Sequence, residues 1–144
     1  MAKVDIDTPT IARPPIAPLR RDDQTLLWVL AGPGLSWPAT IPDPIRFLPA
    51  GGMSPGGVPY SEWPPFGTSP QPIGAKPPVG PDRRPYWASA NHPIPGDQAE
   101  WYHYEFAVAE TDAVTGEELV LWVRAVQHDD GTFHDPDVVN QPQP

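Results

Sequence analysis

Proline supplies 24 of the 144 residues of this chain, and cysteine supplies none. Fifteen of the prolines fall between Pro42 and Pro95. Proline fixes φ and removes a backbone donor, so that stretch excludes a long helix and a central strand. The sequence therefore describes a small folded unit that carries long extended segments. Without cysteine there is no disulfide framework, zinc–thiolate site or thiol nucleophile.

Aromatic residues separate this chain from a disordered proline-rich one, which would be poor in them. Trp28, Trp37, Trp63, Trp87, Trp101 and Trp122 are spread along it, and each can bury ~150–250 Å². Five aromatics lie within the proline-rich part: Tyr60, Trp63, Phe66, Tyr86 and Trp87. They read as anchors that pin ordered coil onto the domain or onto a partner, which makes them the partner-binding candidates.

A net charge of −9 argues against nucleic acid and anionic membrane surfaces as partners. No stretch approaches the ~20 apolar residues of a membrane span. The opening residues Met1–Thr10 include Asp5 and Asp7 and lack a signal-peptide pattern. Arg20-Arg21 ahead of Leu26–Ala31 has the outline of a twin-arginine export signal. Asp22 and Asp23 follow directly and the apolar run is short, so the expectation is a buried strand and a cytoplasmic protein.

Residues 1–19, with Pro9, Pro14, Pro15 and Pro18, read as an extended proline-rich N-terminal arm. A single domain over residues 20–144 follows, with a long Pro/Gly-rich excursion at about residues 49–98. Residues 24–31 are a short apolar run bounded by turn signals and predict a strand. Leu35–Trp37 and Ile45–Leu48 predict a second, broken strand at an edge, and Tyr86–Ser89 a short one. From Trp101 to Ala109 the pattern alternates, with Tyr102, Tyr104, Phe106 and Val108 on one face. Thr111–Gly116 makes a turn, and residues 119–127 return antiparallel to 101–109 with Leu119, Leu121, Val123 and Ala125 sharing a face. Tyr104, Phe106, Leu121 and Val123 are the expected core of this hairpin. Asp137–Asn140 closes the chain's strands.

Chemistry-bearing residues concentrate near the C-terminus: His128, Asp129, Asp130, His134, Asp135 and Asp137. His with Asp can hold a transition metal, and the set Asp129, Asp130, His134 and Asp135 is the metal alternative. Asp-Gly and Asp-Pro are also turn formers, and the spacing is not that of an EF-hand, so turn structure is the expectation and no metal or cofactor is assigned. His103 stands between Tyr102 and Tyr104, but alternation puts it on the opposite, polar face. No Gly-x-Ser-x-Gly elbow, phosphate loop or His-Glu-x-x-His is present, and no catalytic residue is assigned.

Trp101–Val108, Leu119-Val-Leu and Asp135-Pro136-Asp137-Val138-Val139-Asn140 resemble small uncharacterised bacterial β-sandwich proteins with an aromatic "YxYxF" strand and a "DPxIxN" ending. The resemblance implies a cupredoxin-like or immunoglobulin-like sandwich without copper, since a blue-copper site needs a cysteine. The expected fold is thus all-β, a small antiparallel β-sandwich with Greek-key-like connections. The expected function is that of a non-enzymatic structural or interaction protein. It would be an accessory subunit docking on partner proteins, or on its own copies, through proline-stiffened segments. The alternative is a small ligand- or metal-binding sandwich using the acidic 128–137 turn.

Overall fold

Five consecutive apolar residues, Leu26–Leu30, are all buried, as a strand covered on both faces requires. They form one strand of a computed structural model that describes residues 2–19, 26–38, 40–41, 44–61, 86–88 and 99–141, with backbone only at residues 2 and 86–88. In chain order the strands are β1 (Ala2–Thr8), β2 (Ile11–Arg13), β3 (Ile16–Leu19), β4 (Leu26–Leu30), β5 (Leu35–Ser36) and β6 (Ile45–Phe47). They continue as β7 (Tyr86–Ala88), β8 (Glu100–Thr111), β9 (Glu118–Val123), β10 (Val126–Gln127), β11 (Phe133–His134) and β12 (Asp137–Asn140). No helix occurs among the described residues, so their fold is all-β, and none of them forms a helix that could cross a membrane.

One sheet has the order β2-β1-β4-β7. β1 runs antiparallel to β2 and parallel to β4, with Val4 opposite Trp28 and Ile6 opposite Leu30. β7 adds antiparallel to β4, with Trp87 opposite Trp28. Gly32 follows β4 where the chain crosses β1: Ala31 and Gly32 N–H both donate to Ile6 O. A Cβ on Gly32 would lie 1.8 Å from Asp7 O, so no other residue fits.

The larger sheet is organised by β8. β12 pairs with residues 100–103 and β9 with residues 106–111, both antiparallel. The opposite edge of β8 carries β6, with Ile45 across from Phe106, and β5, with Leu35 across from Glu110. β3 runs parallel to β12 at the outer end of the order β3-β12-β8-β5. Pro18 is tolerated there because an edge strand needs no donor on its open side.

Both sheets feed one buried cluster. Val4, Ile6, Leu26 and Trp28 come from the first, and Leu19, Ile45, Tyr102, Tyr104, Phe106, Val108 and Val138 from the second. Trp28 meets Tyr104 edge-on at 5.6 Å between centroids and Phe47 at 6.1 Å, a favoured arrangement for aromatic pairs.

Several expectations change in detail. Residues 2–19 are extended as three paired strands, with β1 and β2 in one sheet and β3 in the other. Three of their prolines, Pro9, Pro14 and Pro15, fall between the strands, where no ladder donor is needed. The return strand ends at Val123. Tyr104, Phe106 and Val123 are buried and Leu121 is half-buried, but Leu119 is 58% exposed and Ala125 is exposed. The chain turns away after Val123 to reach Thr10, whose carbonyl accepts from Gln127 N–H.

Candidate functional site

Alternation along β8 sends Tyr102 and Tyr104 into the core and leaves Trp101, His103 and Glu105 on the other face. Residues 49–61 lie over the first half of that face. Gly51, Gly52 and Gly57 take positive φ (113°, 74° and 77°), which lets the segment fold as a small hairpin. Gly51 N–H donates to Tyr60 O, Tyr60 N–H to Gly52 O, Ser54 N–H to Val58 O and Gly57 N–H to Ser54 O. Ser61 N–H then donates to Trp101 O, and Leu48 N–H to His103 O. Glycine at the turns lets residues 51–60 pair with themselves. A Cβ on Gly56 would lie 2.6 Å from the Trp101 ring, so the hairpin presses directly on the strand.

Tyr60 fastens it. Its ring stacks on His103 at 3.9 Å with 1° between planes, and its hydroxyl donates to Asp137 Oδ1 at 2.8 Å. His103 Nε2 donates to Pro49 O at 2.9 Å, and Nδ1 faces Asp135 Oδ2 at 2.9 Å, with a proton between them. Hairpin, β8 and the segment leading into β12 are thus tied at one point.

Asp137 is fully buried, and its Oδ2 has no hydrogen-bond partner among the described residues. Burial pushes its carboxyl up to about 6, against the opposing pull of the Tyr60 hydroxyl and of His128 and His103 nearby. Burial, with the bond to Asp137, pushes the Tyr60 phenol well above its ordinary value.

The acidic turn is built by its own polar groups. Thr132 N–H and hydroxyl both donate to Asp130 Oδ1, which holds that carboxyl below its usual range. His128 N–H donates to Thr132 O, and Gly131 N–H to His128 O. The His128 ring donates from Nε2 to Asp135 O at 3.0 Å and meets His134 edge-on at 5.3 Å. Among the described residues no three His, Cys, Asp or Glu side chains form a group that could hold a metal ion. In the metal alternative, Asp130 is engaged with Thr132 and Asp135 with His103, while Asp129 and His134 are exposed.

Between this turn, the hairpin and the link from β2 to β3 lies a cleft of about 450 Å³. Pro14, Pro15 and Ile16 form one wall, and Met53, Ser54, Pro55 and Tyr60 a second. His128, Asp129, Asp130 and His134 form the third, and no Lys or Arg among the described residues lines the space. Two prolines on one side and a clamped hairpin on the other make walls with little freedom to lose on binding.

Of the five anchor candidates, only Tyr60 has a described side chain, and it turns inward onto His103 and Asp137 while lining the cleft. Tyr86 and Trp87 lie on β7, paired with Val29 and Trp28 of β4, and Trp63 and Phe66 lie outside the described residues. The part played by Pro14, Pro15 and Met53 had no signal beyond composition, because only the fold brings them to the acidic turn. Among known proteins, no family model, curated protein or solved structure matches this chain.

Proposed function

We propose that this chain is a non-enzymatic interaction domain, an accessory subunit that docks on a partner protein through its proline-walled cleft. The cleft carries the reading. Its volume of about 450 Å³ falls in the ordinary range of binding pockets. Among the described residues its walls combine apolar side chains (Pro14, Pro15, Ile16, Met53, Pro55) with carboxylates at one side (Asp129, Asp130) and no Lys or Arg. That combination suits a basic side chain, whose aliphatic stem lies on the apolar wall while its head stays near the carboxylates. The net charge of −9 favours encounter with such a segment. The acid–base groups beside the cleft support binding over catalysis: Tyr60, His103 and Asp135 are spent on one another and on holding the hairpin.

The same cleft supports a second reading, a small cationic ligand in place of a peptide. Calorimetry with short lysine- and arginine-containing peptides, matched acidic peptides and free alkylamines separates the two. The first reading expects binding of the basic peptides only, weakened when Asp129 and Asp130 are changed to Asn. Binding of the alkylamines alone supports the second, and binding of the acidic peptides contradicts both.

A further inference from the structure

The end of β8 away from the cleft has an open neighbour. Among the described residues β9 pairs only with β8. Tyr104 N–H donates to Pro136 O on the side of β8 that also carries β9, so even-numbered β8 residues point their backbone groups that way. Their partners Val123, Leu121 and Leu119 point back. The backbone N–H and C=O groups of Glu118, Val120 and Trp122 therefore face an edge that is unpaired among the described residues, a template for another strand. Leu119 is 58% and Trp122 36% exposed along it.

We propose that β9 pairs with β9 of a second copy of this chain, antiparallel about a two-fold axis at Leu121. In that register Leu119 of one copy faces Val123 of the other, and Leu121 faces itself, which extends the apolar inner face across the axis. On the outer face Val120 meets Trp122, and Glu118 lies opposite Arg124, the first residue past the end of β9, whose ion pair with Glu105 puts its side chain on that face. The charge pair chooses the register. A slip of one residue exchanges the faces of the sheet. A slip of two sets Glu118 against Trp122, or Val120 against Arg124, and loses both Glu–Arg pairs. The Arg124 side chain is 64% exposed and touches Glu105 only at 3.5 Å through Nε, which leaves the rest of its guanidinium fork for a second carboxylate. The two-fold axis repeats every contact, as a closed isologous dimer requires. Six residues of strand make a small interface, so the dimer is weak and forms at high micromolar concentration. This inference stands apart from the cleft and survives or fails without it.

Sedimentation velocity of the full chain over a concentration series tests it, with circular dichroism confirming the fold of each variant. The wild type is expected to shift from monomer to dimer as concentration rises. Glu118→Arg or Arg124→Glu alone places like charges across the axis twice and weakens association by about tenfold. The double variant Glu118→Arg/Arg124→Glu restores the pairs in reverse and recovers the dimer. Leu119→Lys, at an exposed position that the fold tolerates, abolishes it. A chain monomeric to millimolar concentration overturns the proposal, as does a dimer indifferent to the single charge changes or a folded double variant that stays monomeric.

Discussion

The two halves of β8 share an inner face and differ in everything outside it. Over residues 100–105 the outer face lies under the 49–61 hairpin: Gly56 presses on Trp101, Tyr60 stacks on His103, and a buried carboxylate ties the layers together. Over residues 106–111 the strand is flanked by β9, β5 and β6 and by Pro44, whose carbonyl accepts from Ala107 N–H. There the outer side carries Arg46 at 4.1 Å over the Trp122 ring. Glycines 51, 52 and 57 account for the difference, because their positive φ values fold the loop back on itself and lower it onto the strand. A proline- and glycine-rich segment need not be a linker: where it can pair with itself and set one aromatic onto the sheet, it becomes a wall.

The largest expected effect probes what the halves have in common. Phe106 is fully buried at the middle of β8, and Phe106→Ala should cost ~3–5 kcal/mol in denaturant melts. A loss below ~1 kcal/mol would remove it from the core and with it the common inner face.

The next effect belongs to the covered half alone. The Asp137 carboxyl is raised from the ordinary 3.8 to about 6 in the folded state, so the native protein holds a proton that the unfolded chain releases. Stability is then highest below about pH 4, falls as pH rises through 6, and levels off above it. The two-unit shift corresponds to about 3 kcal/mol. Asp137→Asn keeps an acceptor for Tyr60 and removes the charge. Urea melts of the variant between pH 4 and 8 should lack this fall and gain stability at neutral pH. An unchanged slope would mean that the carboxyl is not desolvated. Tyr60→Phe sharpens the same comparison: it deprives Asp137 of its one donor, should cost ~1.5–3 kcal/mol at neutral pH, and moves the pH window upward. The smallest effect is expected at the open half, where Leu119→Ser should change the monomer's stability by less than ~0.5 kcal/mol. A larger loss would show that Leu119 is covered.

Period-two alternation made the C-terminal third legible. It put Tyr102, Tyr104 and Phe106 inside and His103 outside, and a turn at Thr111–Gly116 between β8 and β9. The buried run Leu26–Leu30 was legible from continuous apolarity. The parallel pairs β1–β4 and β3–β12 were not, because nothing local records which distant strand completes a ladder. Strands in the first nineteen residues hid behind prolines that interrupt the apolar period while leaving the ladders intact. The acidic turn was correctly read as turn chemistry in Asp130 and Gly131. Its meeting with Tyr60 and Met53 depended on the hairpin's descent onto β8, and so on tertiary contacts that no spacing encodes.

Residue-resolved amide hydrogen exchange, measured at low and at high protein concentration, tests the contrast between the two halves most directly. The account predicts that the amides of Ser54, Gly57, Tyr60 and Ser61 are protected at both concentrations, to a degree approaching those of β8. It predicts that Val120 and Trp122, whose N–H groups face the open edge, exchange fast when dilute and slow when concentrated. Hairpin amides exchanging like those of an unfolded chain would contradict the covered half, and Val120 and Trp122 protected equally at both concentrations would contradict the open one.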